Sequence, residues 1–316
     1  MLNWSVLQHK LRYSFNKVLP ALYRNGYESK AKKIATCGHY KDLARCSTCG
    51  EIYLNGFNSC KDRFCPICEK KRSYLWLAKL SPIIDEYLKL GYVVNMFTLT
   101  IEGNQDLKKQ LNILSQCWRV MTHEDKTIRK QFKQRFLGGF RALEVKRGSN
   151  KGLWHCHYHG LIIKDNRCKD FEWLKSSWEK AYRVVTDRNI SLQVRVDAIH
   201  KNHKGYIGAI LEVAKYVTKF DWSFNDDVKE LITSLAGVRT TSTWGILRNR
   251  LSEKSIEDDM DLTLDETVKL VCKTCGNDVF DVIEGVTGNN VNVSDYLEDN
   301  YDYNEQQLDN MSNGVD

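Results

Sequence analysis

The sequence predicts an α+β protein in which a central antiparallel sheet carries helices and is preceded by a cysteine-rich segment. Two observations predict the sheet. The stretch Tyr92–Glu102 is rich in β-branched and aromatic residues, and the strand-like runs Phe140–Gly148 and Trp154–Ile163 are joined by a short loop of the kind that closes a hairpin. The third observation is a group of six cysteines within residues 37–68.

The charge of the chain is divided unequally along its length. Residues 251–316 hold 17 acidic and 3 basic side chains, which leaves 44 basic and 23 acidic ones, a net +21, in the preceding part of the 316-residue chain. A basic body favours a polyanionic partner such as nucleic acid, although surface lysines that only increase solubility are the alternative.

Hydropathy and cysteine content indicate the compartment. The mean hydropathy is −0.48, no apolar run is long enough to span a membrane, and the first residues lack the pattern of a secretory signal. We therefore expect a cytoplasmic protein without a membrane partner. In a reducing compartment its cysteines are metal ligands or buried thiols and do not form disulfides.

The chain divides into four segments. Residues 1–36 have an amphipathic helical pattern that Pro20 is expected to break, and residues 37–72 form the cysteine-rich region. Residues 73–250 form the sheet-containing domain, with helices expected over 73–90, 105–136 and 170–185 and a further strand over 191–200. Residues 251–316 are acidic, contain a lone CxxC pair, and are expected to be largely disordered.

Two CxxC pairs in the cysteine-rich region have the spacing of a zinc site. The pair Cys46 and Cys49 and the pair Cys65 and Cys68 are separated by fifteen residues, which is typical of a tetrahedral structural zinc site. Five other potential ligands leave alternatives open. They could form a second site, replace ligands of the first site, make a dimer contact or bind no metal. These residues are Cys37, His39, Cys60, Cys272 and Cys275.

Three histidines alternate along the second strand of the predicted hairpin. Because side chains on a strand alternate between its faces, His155, His157 and His159 are expected on one face and Cys156, Tyr158 and Gly160 on the other. Glu144, on the first strand of the hairpin, is well placed to provide an oxygen ligand for a divalent cation. The alternatives are a solvated histidine cluster and an exposed carboxylate beside Lys146; whether His155 is a ligand stays open.

A second amphipathic segment, Gly208–Trp222, places polar groups beside an apolar stripe. At 100° per residue, Glu212, Tyr216 and Lys219 lie close together on a helix. The adjoining stripe consists of Ala209, Ile210, Val213, Val217 and Phe220. The alternative is the ordinary solvated edge of a helix.

Together, the strand FTLT, the strand that ends in Glu144, the stretch WHCHYHGLI and the ExxKYxxK segment resemble the rolling-circle replication initiators of small plasmids, within the HUH endonuclease superfamily. The resemblance covers residues 37–222 and includes a CxxRxCPxC element formed by Cys60, Arg63, Cys65, Pro66 and Cys68. Cys156 departs from this pattern, because the family usually has proline there.

The resemblance implies an enzyme that nicks one DNA strand. His157, His159 and Glu144 would hold Mg²⁺ or Mn²⁺, and Tyr216 would attack the phosphodiester, leaving a 5′-phosphotyrosine and a 3′-OH primer. Glu212 would activate water at termination, and Lys219 or Lys215 would steady the phosphate. The implied fold is a sheet with helices on one face and the tyrosine helix directed at the metal.

The implied partners are single-stranded or hairpin DNA at a plasmid double-strand origin and the host helicase and replication machinery. Two other readings remain. A single-tyrosine transposase of the same superfamily would share the chemistry and join DNA ends, and a zinc-ribbon DNA-binding regulator would bind DNA without cleaving it.

Overall fold

A computed structural model describes residues 4–148, 152–165, 170–199, 210, 213, 227–262 and 271–287, with side chains described from residue 14 to residue 284. Among these residues, no helix combines the length and the apolar character that crossing a bilayer requires.

The N-terminal segment forms two helices, α1 (Trp4–Arg24) and α2 (Glu28–Ala35). The predicted break at Pro20 is wrong, because α1 continues through that residue. The apolar residues on either side of the proline are fully buried and hold the turn in place, namely Val18, Leu19, Ala21 and Leu22. The helix instead ends shortly before Gly26, which has a φ of +78° that glycine adopts without a steric cost.

A small antiparallel sheet carries the cysteine-rich region. It consists of β1 (Tyr40–Cys46), β2 (Ile52–Phe57) and the C-terminal strand β8 (Phe280–Thr287), in the order β2-β1-β8. The prediction that 251–316 is a separate and largely disordered region therefore needs correction. Residues 280–287 pair with β1, and the centroids of the Phe280 and Tyr53 rings lie 5.9 Å apart. Residues 288–316 lie outside the described residues.

The main sheet has five antiparallel strands in the order β6-β3-β5-β4-β7, which confirms the α+β prediction. The strands are β3 (Val93–Thr100), β4 (Phe136–Arg147), β5 (Trp154–Lys164), β6 (Val194–Ala198) and β7 (Thr241–Gly245). The hairpin pairs β4 with β5, so the histidine strand lies at the centre of the sheet.

Helices cover both faces of the main sheet. Beyond the first two they are α3 (Pro66–Lys89), α4 (Leu107–Arg119), α5 (Lys126–Arg135), α6 (Phe171–Thr186), α7 (Val228–Leu235) and α8 (Glu253–Asp258), and a π-helical turn (Val120–Glu124) separates α4 from α5.

The distribution of the helices corrects one expectation from the resemblance. Trp118 of α4 contacts Tyr158 on one face, whereas Trp76 of α3 contacts Phe140 on the other. The implied arrangement with helices on one face only is therefore wrong. The helix α3 also crosses the predicted boundary at residue 72.

Candidate metal and DNA-processing site

The histidine row occupies one face of the central strand. His155, His157 and His159 are half-buried and alternate with fully packed residues along β5. Neighbouring ring centroids are separated by 6.3 Å between His155 and His157 and by 6.0 Å between His157 and His159. The rings therefore form one row, with strands β3 and β4 on either side.

Glu144 projects from β4 into this row. It is directly opposite His157 in the strand register, and its Oε2 lies 3.0 Å from His159 Nε2. The side chain is 3% exposed, and Lys146 Nζ lies 3.9 Å from the same oxygen. The hairpin thus brings a carboxylate and imidazoles together, as the predicted pairing of its strands implies.

The protonation states of these groups suit a cation. Burial and the nearby Lys146 ammonium lower the pKa of His157 to about 4. For Glu144, burial opposes ionisation, but the hydrogen bond with His159 and the charge of Lys146 together lower its pKa to about 2. His157 Nε2 is buried and has no hydrogen-bond partner among the described residues. A neutral imidazole and an ionised carboxylate are the forms that bind metal, so these residues fit a divalent ion.

Thr98 holds the other nitrogen of His159. It lies opposite His159 on the neighbouring strand β3, and its Oγ1 is 3.1 Å from His159 Nδ1. Contacts of this kind fix the tautomer and orientation of a ligand imidazole. The sequence analysis did not single out Thr98, although strand alternation would have placed it on the histidine face once the register with β5 was known.

The opposite face of β5 anchors the row. Tyr158 packs against Trp118, and the Arg141 guanidinium lies 3.9 Å from the centroid of the Tyr158 ring. Cys156 is fully buried, and burial raises the pKa of its thiol. Cys156, in the position where the family usually has proline, therefore serves as a core residue.

The other proposed catalytic residues lie outside the described residues: Glu212, Lys215, Tyr216 and Lys219. Two members of the apolar stripe predicted beside them are described. Ile210 and Val213 are both helical and buried, as the amphipathic pattern of that segment predicts.

The first cysteine cluster, here called the core cluster, consists of Cys37, Cys60, Cys65 and Cys68. Their sulfur atoms all lie within 4.8 Å of one another, with Cys68 Sγ 3.5 Å from Cys37 Sγ and 3.7 Å from Cys60 Sγ. A tetrahedral zinc site with Zn–S distances of about 2.3 Å has sulfur atoms about 3.8 Å apart. Thiol–thiol contacts also lower the pKa of Cys68, and a thiolate is the form that binds zinc.

The second cluster, here called the ribbon cluster, joins Cys46 and Cys49 to Cys272 and Cys275. Cys46 Sγ lies 3.5 Å from Cys275 Sγ, and Cys49 Sγ lies 3.5 Å from Cys272 Sγ. Both pairs form the same turn. Gly50 and Gly276 follow their cysteine pairs with φ of +73° and +76°, and each donates its N–H to the carbonyl of the first cysteine at 2.9 Å.

The clusters correct the predicted zinc site. The spacing of the two pairs predicted one ion bound by Cys46, Cys49, Cys65 and Cys68, but the two pairs lie in different clusters. Spacing along the chain could not reveal that β8 returns to pair with β1. A usable signal was present in the repeated CxTCG sequence at 46–50 and 272–276. His39 belongs to neither cysteine cluster among the described residues.

The chain is thus an α+β protein with an antiparallel sheet, a row of histidines beside a glutamate on the central strands, and two four-cysteine clusters consistent with structural zinc. A family model described as "Replication protein" matches residues 51–277, most of the chain. The protein therefore belongs to this replication protein family.

Three similar proteins are each named "Protein rep". A "Protein rep" of Bacillus sp is 29% identical over 213 residues, which cover 61% of this chain and 67% of that protein. One from Bacillus amyloliquefaciens is 28% identical, with 61% of each chain covered. One from Streptococcus pneumoniae is 27% identical over 260 residues, or 76% of this chain and 78% of the relative. No solved structure matches the chain.

Proposed function

We propose that this protein initiates plasmid rolling-circle replication by nicking one strand of origin DNA through Tyr216. The observation that carries the proposal is the contact of Glu144 with His159 beside the buried Nε2 of His157, which has no hydrogen-bond partner among the described residues, in a chain of the replication protein family. The His159 hydrogen bond and the Lys146 charge keep the Glu144 carboxylate ionised, which is the form that binds a cation.

His157, His159 and Glu144 would hold Mg²⁺ or Mn²⁺. The ion, when bound, would neutralise charge on the scissile phosphate. Glu144 and His159 would exchange their mutual hydrogen bond for contacts with the ion, while Thr98 would keep the His159 ring oriented from the other side. Two sides of the site would thus be fixed before DNA arrives, which reduces the cost of positioning the phosphate.

Tyr216 would attack the phosphorus in line. The phenol of Tyr216 would give up its proton to solvent as its oxygen bonds to phosphorus, the bond from phosphorus to the 3′ oxygen would break, and the departing oxygen would take up a proton from solvent to end as a 3′-OH. The 5′ end stays on the protein as a phosphotyrosine. Lys219 or Lys215 would steady the phosphate. Glu212 would later take a proton from water and release the 5′ end at termination, or strand transfer would complete the cycle.

The expected substrate is single-stranded or hairpin DNA at the plasmid origin, because the scissile phosphate must be accessible. A host helicase and the replication machinery would extend the 3′-OH. The membership of the replication protein family supports origin DNA as the partner.

The test uses 3′- and 5′-labelled single-stranded origin DNA, purified protein and Mn²⁺, with denaturing gels and mass spectrometry of any adduct. We expect a covalent adduct on Tyr216 that chelator prevents and that Tyr216→Phe abolishes. Tyr206→Phe, a change of the same kind two residues before that segment, is the matched control and should still nick. Nicking by Tyr216→Phe would contradict the assignment of the nucleophile.

Two other outcomes would replace the proposal. Metal-dependent DNA binding without cleavage or adduct would identify a zinc-ribbon regulator. Efficient joining of two heterologous DNA ends, with no release of a primer for synthesis, would identify a transposase.

A further inference from the structure

An acidic segment lies across a basic part of the surface. We call residues 253–262 the acidic strap; it comprises α8, a 3₁₀ turn (Asp259–Asp261) and Leu262. It contacts four cations of α3 and the preceding loop, here called the basic edge. The ion pairs are Arg72–Glu257, Lys79–Asp259 and Lys61–Asp261, and Lys71 Nζ donates to the carbonyls of Met260 at 2.9 Å and Leu262 at 2.6 Å.

The two segments carry opposite charge of equal size. The strap holds five acidic side chains and one lysine, a net −4, and residues 61–79 hold six basic and two acidic side chains, a net +4. The strap therefore neutralises a cationic surface of the kind that binds a phosphate backbone.

The basic edge is built on the same side of the sheet as the histidine row. The Trp76 ring of α3 lies 4.5 Å from that of Phe140, and Phe140 shares its strand face with Glu144, four residues further along β4. At a rise of about 3.3 Å per residue, that separation is about 13 Å. A DNA strand that leaves the histidine row along this face therefore passes towards α3.

The buried apolar residues of the strap and its acidic residues have different roles. Ile256 and Met260 are fully buried and anchor it, and Ser252 and Ser255 cap α8 reciprocally. The ion pairs differ in exposure: the Arg72 side chain is 6% exposed, whereas those of Lys79 and Lys61 are 28% and 40% exposed. Arg72 and Lys71 are thus fixed, and Lys61 and Lys79 can exchange a carboxylate for another anion without unfolding the strap.

We propose that the basic edge is a second contact surface for the DNA backbone and that Asp259 and Asp261 compete with phosphates for Lys79 and Lys61. The strap then restrains DNA affinity outside the histidine site. This proposal rests on DNA being the substrate, as proposed above, but it does not depend on the identity of the nucleophile.

The test measures DNA affinity by fluorescence anisotropy, with a labelled single-stranded oligonucleotide of mixed sequence and no added divalent ion, over a series of salt concentrations. The variant is Asp259→Asn with Asp261→Asn. The matched control is Asp258→Asn with Asp281→Asn, which changes the net charge equally at two exposed carboxylates that make no salt bridge within the described residues.

We expect the strap variant to bind about tenfold more tightly at low salt. For this variant, the slope of log affinity against log salt concentration should become steeper by about 1.4, since each of the two added phosphate contacts with single-stranded DNA contributes about 0.7. The control variant should bind DNA only slightly more tightly, through the change in net charge alone. Equal gains in both variants would overturn the proposal.

A double-mutant cycle provides the second measurement. Lys61→Ala with Lys79→Ala should weaken binding little in the otherwise unchanged chain, because the strap already occupies both lysines, but should abolish the gain in the strap variant. Additive effects would overturn the proposal. The cycle is run in the Tyr216→Phe background, so that this proposal is tested separately from the proposed nicking function. Nicking is measured by adduct formation, whereas the cycle measures DNA affinity.

Discussion

Thr98, Glu144 and His159 form a chain of contacts across three neighbouring strands. The imidazole of His159 lies between the Thr98 hydroxyl at 3.1 Å and the Glu144 carboxylate at 3.0 Å. Because both ring nitrogens are engaged, the orientation of this ring is fixed from both sides. A residue that binds no metal itself can therefore control how well a metal is bound.

Replacing Thr98 by valine should weaken divalent metal binding. The change keeps the shape of the side chain but removes the partner of His159 Nδ1, and loss of such a partner typically costs about 10- to 100-fold in metal affinity. Mn²⁺ titration followed by electron paramagnetic resonance measures the effect directly. Thr98→Ser should restore most of the affinity.

The control for this prediction is Thr100→Val. Thr100 lies on the same face of β3, but its hydroxyl donates to the Gln193 carbonyl at 2.7 Å. Equal loss of Mn²⁺ affinity in the Thr100 and Thr98 variants would contradict a specific role for Thr98.

At the scale of the element, β5 depends on the absence of a side chain at Gly160. A Cβ built there would lie 2.3 Å from the Phe140 carbonyl oxygen and 2.3 Å from the ring of Phe97. The ring could turn away, but the carbonyl belongs to the ladder between β4 and β5. Strand β5 can therefore come close to both neighbours only with glycine at this position.

Gly160→Ala should lower the free energy of unfolding by about 1 to 3 kcal/mol, the usual cost of overpacking a core. Urea denaturation followed by tryptophan fluorescence measures it. Mn²⁺ affinity should fall in the same variant, because His159 and His157 lie on the displaced strand. Unchanged stability would show that β4 and β5 do not pair in this register.

The elements also show which parts of the fold a sequence reveals. The hairpin of β4 and β5 was predictable because apolar alternation and a short polar loop are local signals, and the alternation fixed which side chains share a face with His157. The strand β7 was not predicted, since Thr241–Gly245 has no apolar alternation and is a strand only through its pairing with β4. The predicted helix break at Pro20 was wrong because burial of the neighbouring apolar residues outweighs the tendency of proline to end a helix.

At the scale of the whole molecule, the cysteine clusters differ in what they connect. The core cluster joins residues within 37–68, whereas the ribbon cluster joins Cys49 to Cys272 over 223 residues of chain. The strand β8 is only partly buried: Phe280 and Ile283 pack against the core, whereas Val282 is 45% exposed and Val279, just before the strand, is 58% exposed. We therefore expect its attachment to β1 to depend on a metal held by the ribbon cluster as well as on the pairing of the two strands. No local spacing rule could have predicted this pairing.

Cys272→Ser with Cys275→Ser should remove one of the two zinc ions for which the described part of the chain offers four cysteines each and release β8, while the main sheet stays folded. Elemental analysis measures the zinc content, and hydrogen exchange should show faster exchange in the backbone of Tyr40–Cys46. Binding energy at such a site is folding energy.

The comparison variant is Cys65→Ser with Cys68→Ser, which removes ligands from the buried core cluster. This change should lower the thermal stability of the whole chain, because Cys65 and Cys68 lie at the start of α3 among fully buried residues. Retention of both zinc ions by the Cys272 and Cys275 variant would contradict the assignment of the ribbon cluster.

The ribbon cluster has a consequence for protein synthesis. Cys46 and Cys49 leave the ribosome long before their partners, and at about 5 to 20 residues per second the intervening 223 residues take roughly 10 to 45 s to translate. During that time the first pair holds half of a site and β1 lacks one neighbour. A nascent chain that stops before residue 275 cannot complete the cluster, so closure of this site reports that translation has passed beyond the histidine strand.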